Sequence, residues 1–174
     1  MINYKELAKK NIFNTEISVD GVKEMVYYHK YKPDLGIDVN NNNIYIYAIN
    51  SLTNSWKKKP VDIIEYSNIN DVKISVCRRN YGAIAGVIVN EYHLDIIINL
   101  NDGSSYQLES QSWNNFIKMI DKLLYKDVQV IDSMDVYINY SNSGKKYIEK
   151  LDIVFDDLAD KYQISHYRAG NKRY

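Results

Sequence analysis

The stretch LDIIINLNDGSSYQL, residues 94–108, runs almost directly into WNNFIKMIDKLL, residues 113–124, and this pair of segments decides the fold. Leu94, Ile96, Ile98 and Leu100 occupy one face of an extended run, the period-2 pattern of a strand. Asn101-Asp102-Gly103 then offers residues that tolerate positive φ, which a tight hairpin needs, and Tyr106 and Leu108 continue the returning strand. Trp113, Phe116, Ile117, Ile120, Leu123 and Leu124 recur at the spacing of one helical face, with Ser110 or Ser112 available as N-cap. A hairpin followed by an amphipathic helix that can pack on it predicts an α+β domain.

Toward the N-terminus the strand pattern continues. Val72, Ile74 and Val76 alternate with Lys73, Ser75 and Cys77, which predicts a half-buried strand over Asp71 to Arg78. Val61 to Tyr66, Ile44 to Ile49 and Met25 to His29 also read as extended, with Ile44, Ile46 and Ala48 on one face of the middle one. Asn40 to Asn43 reads as a turn, because asparagine side chains bond neighbouring backbone and tolerate left-handed geometry. Ser51 to Pro60 reads as a polar, basic loop, Asn80 to Gly86 as a flexible apolar connection, and Asn3 to Asn11 as a short helix.

Toward the C-terminus, Val128 to Ile131 suggests a short strand. Tyr147, Ile148, Leu151, Val154, Phe155, Leu158 and Tyr162 define a second amphipathic helix whose other side carries Asp152, Asp156 and Asp160. Asn139 to Gly144, rich in serine and asparagine, reads as the loop that sets this helix apart. The tail from Ser165 to Tyr174 is basic and of a composition that frays unless something holds it.

Two of these stretches carry a family likeness. Ile64-Glu65-Tyr66-Ser67-Asn68-Ile69 followed by Val72 resembles the I-x-Y-S-x-I-x-x-V strand and turn of bacterial PH-like domains. The hairpin at 94–108 with the helix at 113–124 is similar to the last hairpin and closing helix of that group. The resemblance covers Met25 to Ile131 and implies a strongly bent antiparallel sheet closing toward a barrel, with Trp113 and Phe116 plugging its open corner. It divides the chain into an N-terminal segment at 1–24, a PH-like domain at 25–131 and a helical extension and tail at 132–174. The final helix lies outside the family pattern, so a chain cut between Ser141 and Gly144 is expected to stay folded as a monomer.

At 174 residues the chain has the size of one domain and can bury a core without metal or disulfide staples. The 22 lysines and arginines balance 22 aspartates and glutamates, so no global field draws the chain to nucleic acid or to an anionic membrane. A single cysteine, Cys77, cannot form an internal disulfide and suits a reducing cytoplasm. Neither a signal-peptide pattern nor an apolar run of membrane-spanning length is present in the sequence. The 17 tyrosines against 3 phenylalanines, with abundant asparagine, isoleucine and lysine, are what an AT-rich genome writes at tolerant positions.

Catalytic parts are missing from the pattern. His29, His93 and His166 fall in no metal-ligand spacing, and Gly82 and Gly86 lack the lysine and hydroxyl of a phosphate loop. Cys77 beside Arg78 and Arg79 has the makings of an activated thiol, but a packed cysteine is the commoner case. Asp156, Asp157 and Asp160 read as a solvated acidic face. The expectation is therefore a binding or scaffold module without cofactor or metal, engaging a protein partner or a second copy of itself. The alternative is a small ligand or anionic lipid headgroup held by Lys57, Lys58, Lys59, Arg78 and Arg79 with Tyr81. An enzyme built on Cys77 comes last.

Overall fold

The longest element is a hairpin formed by β6 (Ile69–Ile84) and β7 (Val87–Leu100), paired from Ile69↔Leu100 to Ile84↔Val87. These elements belong to a computed structural model that describes residues 12–19, 35–39, 42–50, 55–56, 59–60, 62–84 and 87–167. The strands before the hairpin are β1 (Ile12–Val19), β2 (Leu35–Val39), β3 (Asn43–Asn50), β4 (Ser55–Trp56) and β5 (Asp62–Glu65). After it come β8 (Ser105–Ser110), α1 (Trp113–Tyr125), β9 (Gln129–Ile131), α2 (Val136–Ser143) and α3 (Lys145–Tyr162). The protein is α+β.

The strands form one hydrogen-bonded path, β4-β3-β2-β1-β8-β7-β6-β9, with β5 added to β3. Two sheets meet in β1: Ile12 to Thr15 pair with β2, and Glu16 to Val19 pair with β8. Among the described residues every pairing is antiparallel except β6 with β9, which the crossover through α1 makes parallel. The path is open, since β4, β5 and β9 lie at its ends.

The turn at 101–103 forms as its sequence demands. Gly103 takes φ +87°, a region that costs a side-chain-bearing residue dearly, and its N–H donates to the Leu100 carbonyl at 3.1 Å. Asp102 Oδ1 accepts from the Ser104 N–H and hydroxyl at 2.9 and 2.6 Å. Helix α1 then buries Trp113, Phe116, Met119, Ile120 and Leu123. Of its two candidate caps, Ser112 holds the N-cap position, and the Ser110 hydroxyl accepts the Ser112 N–H at 3.0 Å. One continuous core joins Ile44, Ile46 and Ile64 to Val72, Ile74, Val76, Leu94, Ile96, Ile98 and Leu108, and to the buried faces of all three helices.

Several expectations change. The presumed loop at Asn139 to Gly144 is largely helix: α2 runs to Ser143, and only Gly144, at φ +55°, breaks it from α3. Asparagine and serine are poor helix formers, but Val136 and Tyr140 are buried, and the Asp132 carboxylate accepts the Val136 and Tyr137 N–H groups at 2.9 and 2.7 Å. Tyr147, Leu151, Phe155 and Ala159 of helix α3 sit in the same core as the sheet. The expected connection at 80–86 is strand as far as Ile84. The segment before Met25 contributes β1 to the sheet, and the helix expected at Asn3 to Asn11 and the strand at Met25 to His29 lie outside the described residues.

Candidate functional site

Adjacent residues on a strand point to opposite faces, and β6 separates the two arginines of the predicted basic cluster in this way. Arg79 forks onto the Glu109 carboxylate two strands away, with Nη2 at 2.7 Å from Oε2 and Nε bonded to Oε1. His93 Nδ1 lies 3.1 Å from the same carboxylate, and all three residues are buried. Burial alone would push the Glu109 carboxyl up, but His93 and Arg79 outweigh it and hold the group well below the usual carboxylate range. The network extends along this face: Gln107 Nε2 donates to Asp95 Oδ1 at 2.7 Å, and Gln111 reaches both Glu91 and His93.

Arg78 turns the other way, toward α3. It pairs with Asp156 at 2.5 Å, donates from Nε to the His166 carbonyl at 3.1 Å, and lies over the rings of Phe155 and Tyr167 at 4.8 and 4.1 Å. Both guanidiniums are thus enclosed and matched by carboxylates. Lys59 is exposed, Tyr81 lies on β6 opposite Val89, and Lys57 and Lys58 lie outside the described residues. Arg78 and Arg79 therefore face opposite sides of β6 and do not share one surface. Cys77 is buried. Asp156 and Asp160 are exposed but bridged by His166, which approaches them at 2.9 and 2.7 Å.

A concave site forms elsewhere, where β7 enters the sheet beneath the first turns of α3. Asn90, Glu91 and Tyr92 of β7, Gln111 and Trp113 at the start of α1, and Lys145, Ile148, Glu149 and Asp152 of α3 enclose a cleft of about 390 Å³. The α3 residues share one face through i, i+3, i+4 and i+7 spacing. Trp113 anchors the floor: its Nε1 donates to the Tyr92 carbonyl at 3.1 Å, and its ring packs 5.0 Å from Tyr140 and 6.1 Å from Tyr147.

The lining is rich in acceptors. Glu149 and Asp152 line the cleft with a single ammonium, Lys145, while the Glu91 carboxylate lies with His93 and Gln111 on the other face of β7. Tyr92 is 5% exposed, and its hydroxyl, near enough to Arg78 and Asp152 to feel both charges, completes a well-formed hydrogen bond with neither. Burial pushes its phenol up to about 12. The Asn90 Oδ1 is likewise buried without a partner. Sequence reading missed this site because its residues come from three distant segments; the acidic side of the last helix, with Asp152, was the one visible signal.

No family model, curated protein or solved structure matches the chain. Its function is read from its own residues.

Proposed function

We propose that the protein is a non-catalytic binding module with a PH-like body, and that it engages a basic surface of a protein partner through the outer side of α3. The carrying observation is how α3 is divided. Its apolar stripe is spent in the chain's own core, while Glu149 and Asp157 stand exposed one turn on either side of Ile153, which is 82% exposed, with Lys146 and Lys150 on the same side. An exposed apolar residue flanked by carboxylates suits a recognition patch, in which the apolar centre contributes affinity and the charges contribute selection and association rate. The PH-like reading of the body is supported by β1 shared between two sheets and by a helix that follows the last hairpin and packs into the core.

Charge reversal tests this reading. The full-length protein and its Glu149→Lys/Asp157→Lys variant would each be cross-linked to partners in an extract of the source cells, with Lys118→Glu on exposed α1 as control. The double variant is expected to lose a basic partner that the control retains. Equal capture by all three proteins would sink the α3 surface as the recognition face. Dimerisation abolished by the same double variant would replace the basic partner with a second copy of the chain.

A further inference from the structure

Resting on that reading, we infer that the cleft between β7 and the first turns of α3 seats a single guanidinium side chain, an arginine of the basic partner. Its volume of about 390 Å³ lies within the range of pockets that enclose small ligands, about 300–1,000 Å³. What the cleft offers is acceptors, the partnerless Asn90 Oδ1 from the sheet with Glu149 and Asp152 from the helix, and Lys145 offsets only one of the two helix carboxylates. The Tyr92 hydroxyl, on a side chain more than nine-tenths buried, is an independent sign of an unmet partner.

The spacing argues for a guanidinium over a metal ion. Among the described residues no three His, Cys, Asp or Glu side chains are gathered closely enough to hold a metal. Acceptors spread over two elements suit a planar group with five N–H donors in a fixed fork, which can bond the sheet side and the helix side together. An ammonium, a compact point charge, would reach one side at a time. The seat also adjoins the buried charge network, because Glu91 and Gln111 belong to both.

The probe is N-acetyl-arginine amide, titrated into the full-length protein labelled with nitrogen-15, with the neutral isostere N-acetyl-citrulline amide alongside. The Trp113 indole N–H and the backbone signals of Asn90, Gln111 and Ile148 are expected to shift saturably with arginine and to stay still with citrulline. Asp152→Asn and Glu149→Gln, both at exposed positions that leave the core intact, should each weaken arginine binding about tenfold, the scale of one lost charge-assisted hydrogen bond. Equal shifts with citrulline, silence of the cleft signals, or unchanged affinity in both variants would overturn the seat. Silence here with partner capture still dependent on the α3 charges would sink the seat alone. Arginine binding with capture indifferent to those charges would sink the partner surface alone.

Discussion

His166 carries a device that a single side chain can test. Its two ring nitrogens face carboxylates from one side of α3, Nδ1 toward Asp156 at 2.9 Å and Nε2 toward Asp160 at 2.7 Å. Neutral imidazole has one N–H, so only the imidazolium can donate to both. The hydrogen bonds to Asp156 and Asp160 raise the His166 pKa above its ordinary 6.5, against the desolvation that lowers it. A folded value above the unfolded one means stabilisation that is complete below about pH 6.5 and fades as pH rises through the folded value. Asp156 is shifted the opposite way, held low by His166 first and Arg78 second, so its contribution fades as pH falls below its ordinary 3.8. The urea midpoint of the protein should therefore exceed that of His166→Gln at about pH 5.5, and the two should coincide at about pH 9. A gap that is equal at both pH values, or larger at the alkaline one, would show that the imidazolium does not clamp the tail. Buried Glu109 gives the complementary case, in which removing one partner leaves the other charge enclosed. Glu109→Ala should cost about 3–5 kcal/mol in urea denaturation, more than Arg79→Met/Glu109→Leu, which removes both charges. None of these pairings was legible in the sequence: Arg79 meets Glu109 across 30 positions and Arg78 meets Asp156 across 78. The paired arginines were visible; the carboxylates that neutralise them were not.

At the scale of elements, local pattern and tertiary packing part company at α2 and α3. The β7–β8 hairpin and α1 were readable because turn chemistry and periodicity agree there with the final packing. The 136–143 segment was not, since its helix depends on Tyr140, whose hydroxyl donates to Asn114 on α1 at 2.9 Å, and on Val136 in the core. For α3 the periodicity was plain, but what its apolar stripe would meet was not. Its ring contact between Phe155 and Tyr92, at 5.4 Å, ties the helix to the sheet. Phe155→Ala is expected to destabilise the fold by about 3–5 kcal/mol, the usual cost of emptying a buried phenylalanine site. Ile153→Ala, two positions away and exposed, should stay within about 0.5 kcal/mol. Thermal melts of the two variants separate a core helix from an appended one: equal and small losses would mean that α3 only rests on the sheet. The candidate cleft follows the same rule, because β7, the α1 entry and α3 must all be in place before its nine lining residues become neighbours.

For the molecule as a whole, the question is whether two sheets whose backbone ladders, among the described residues, meet in β1, with the Tyr106 hydroxyl of β8 also donating to Asp62 of β5 at 2.6 Å, behave as one unit. Division at 24/25 and 131/132 would make the sheet body and the C-terminal helices separable, with two transitions on unfolding. The packing argues otherwise. Trp113 stands where they meet: it starts α1, bonds the backbone of β7, and touches the rings of Tyr140 on α2 and Tyr147 on α3. Removing α3 would open that junction and bare the side chains of Tyr92 and Trp113, which pack on Phe155 and Tyr147, to water, at about 25 cal/mol for each Å² of apolar surface uncovered. Small domains hold a net stability of only about 5–15 kcal/mol, so a loss on this scale leaves no margin for an independent body. A chain ending at Ser143 is therefore expected to lose its cooperative thermal transition and its dispersed amide spectrum. In the intact chain carrying Trp56→Phe, Trp113 fluorescence and far-UV circular dichroism should report one coincident urea transition. Fluorescence that moves at lower urea than the circular dichroism, with the sheet signal surviving, would divide the molecule at α3 after all.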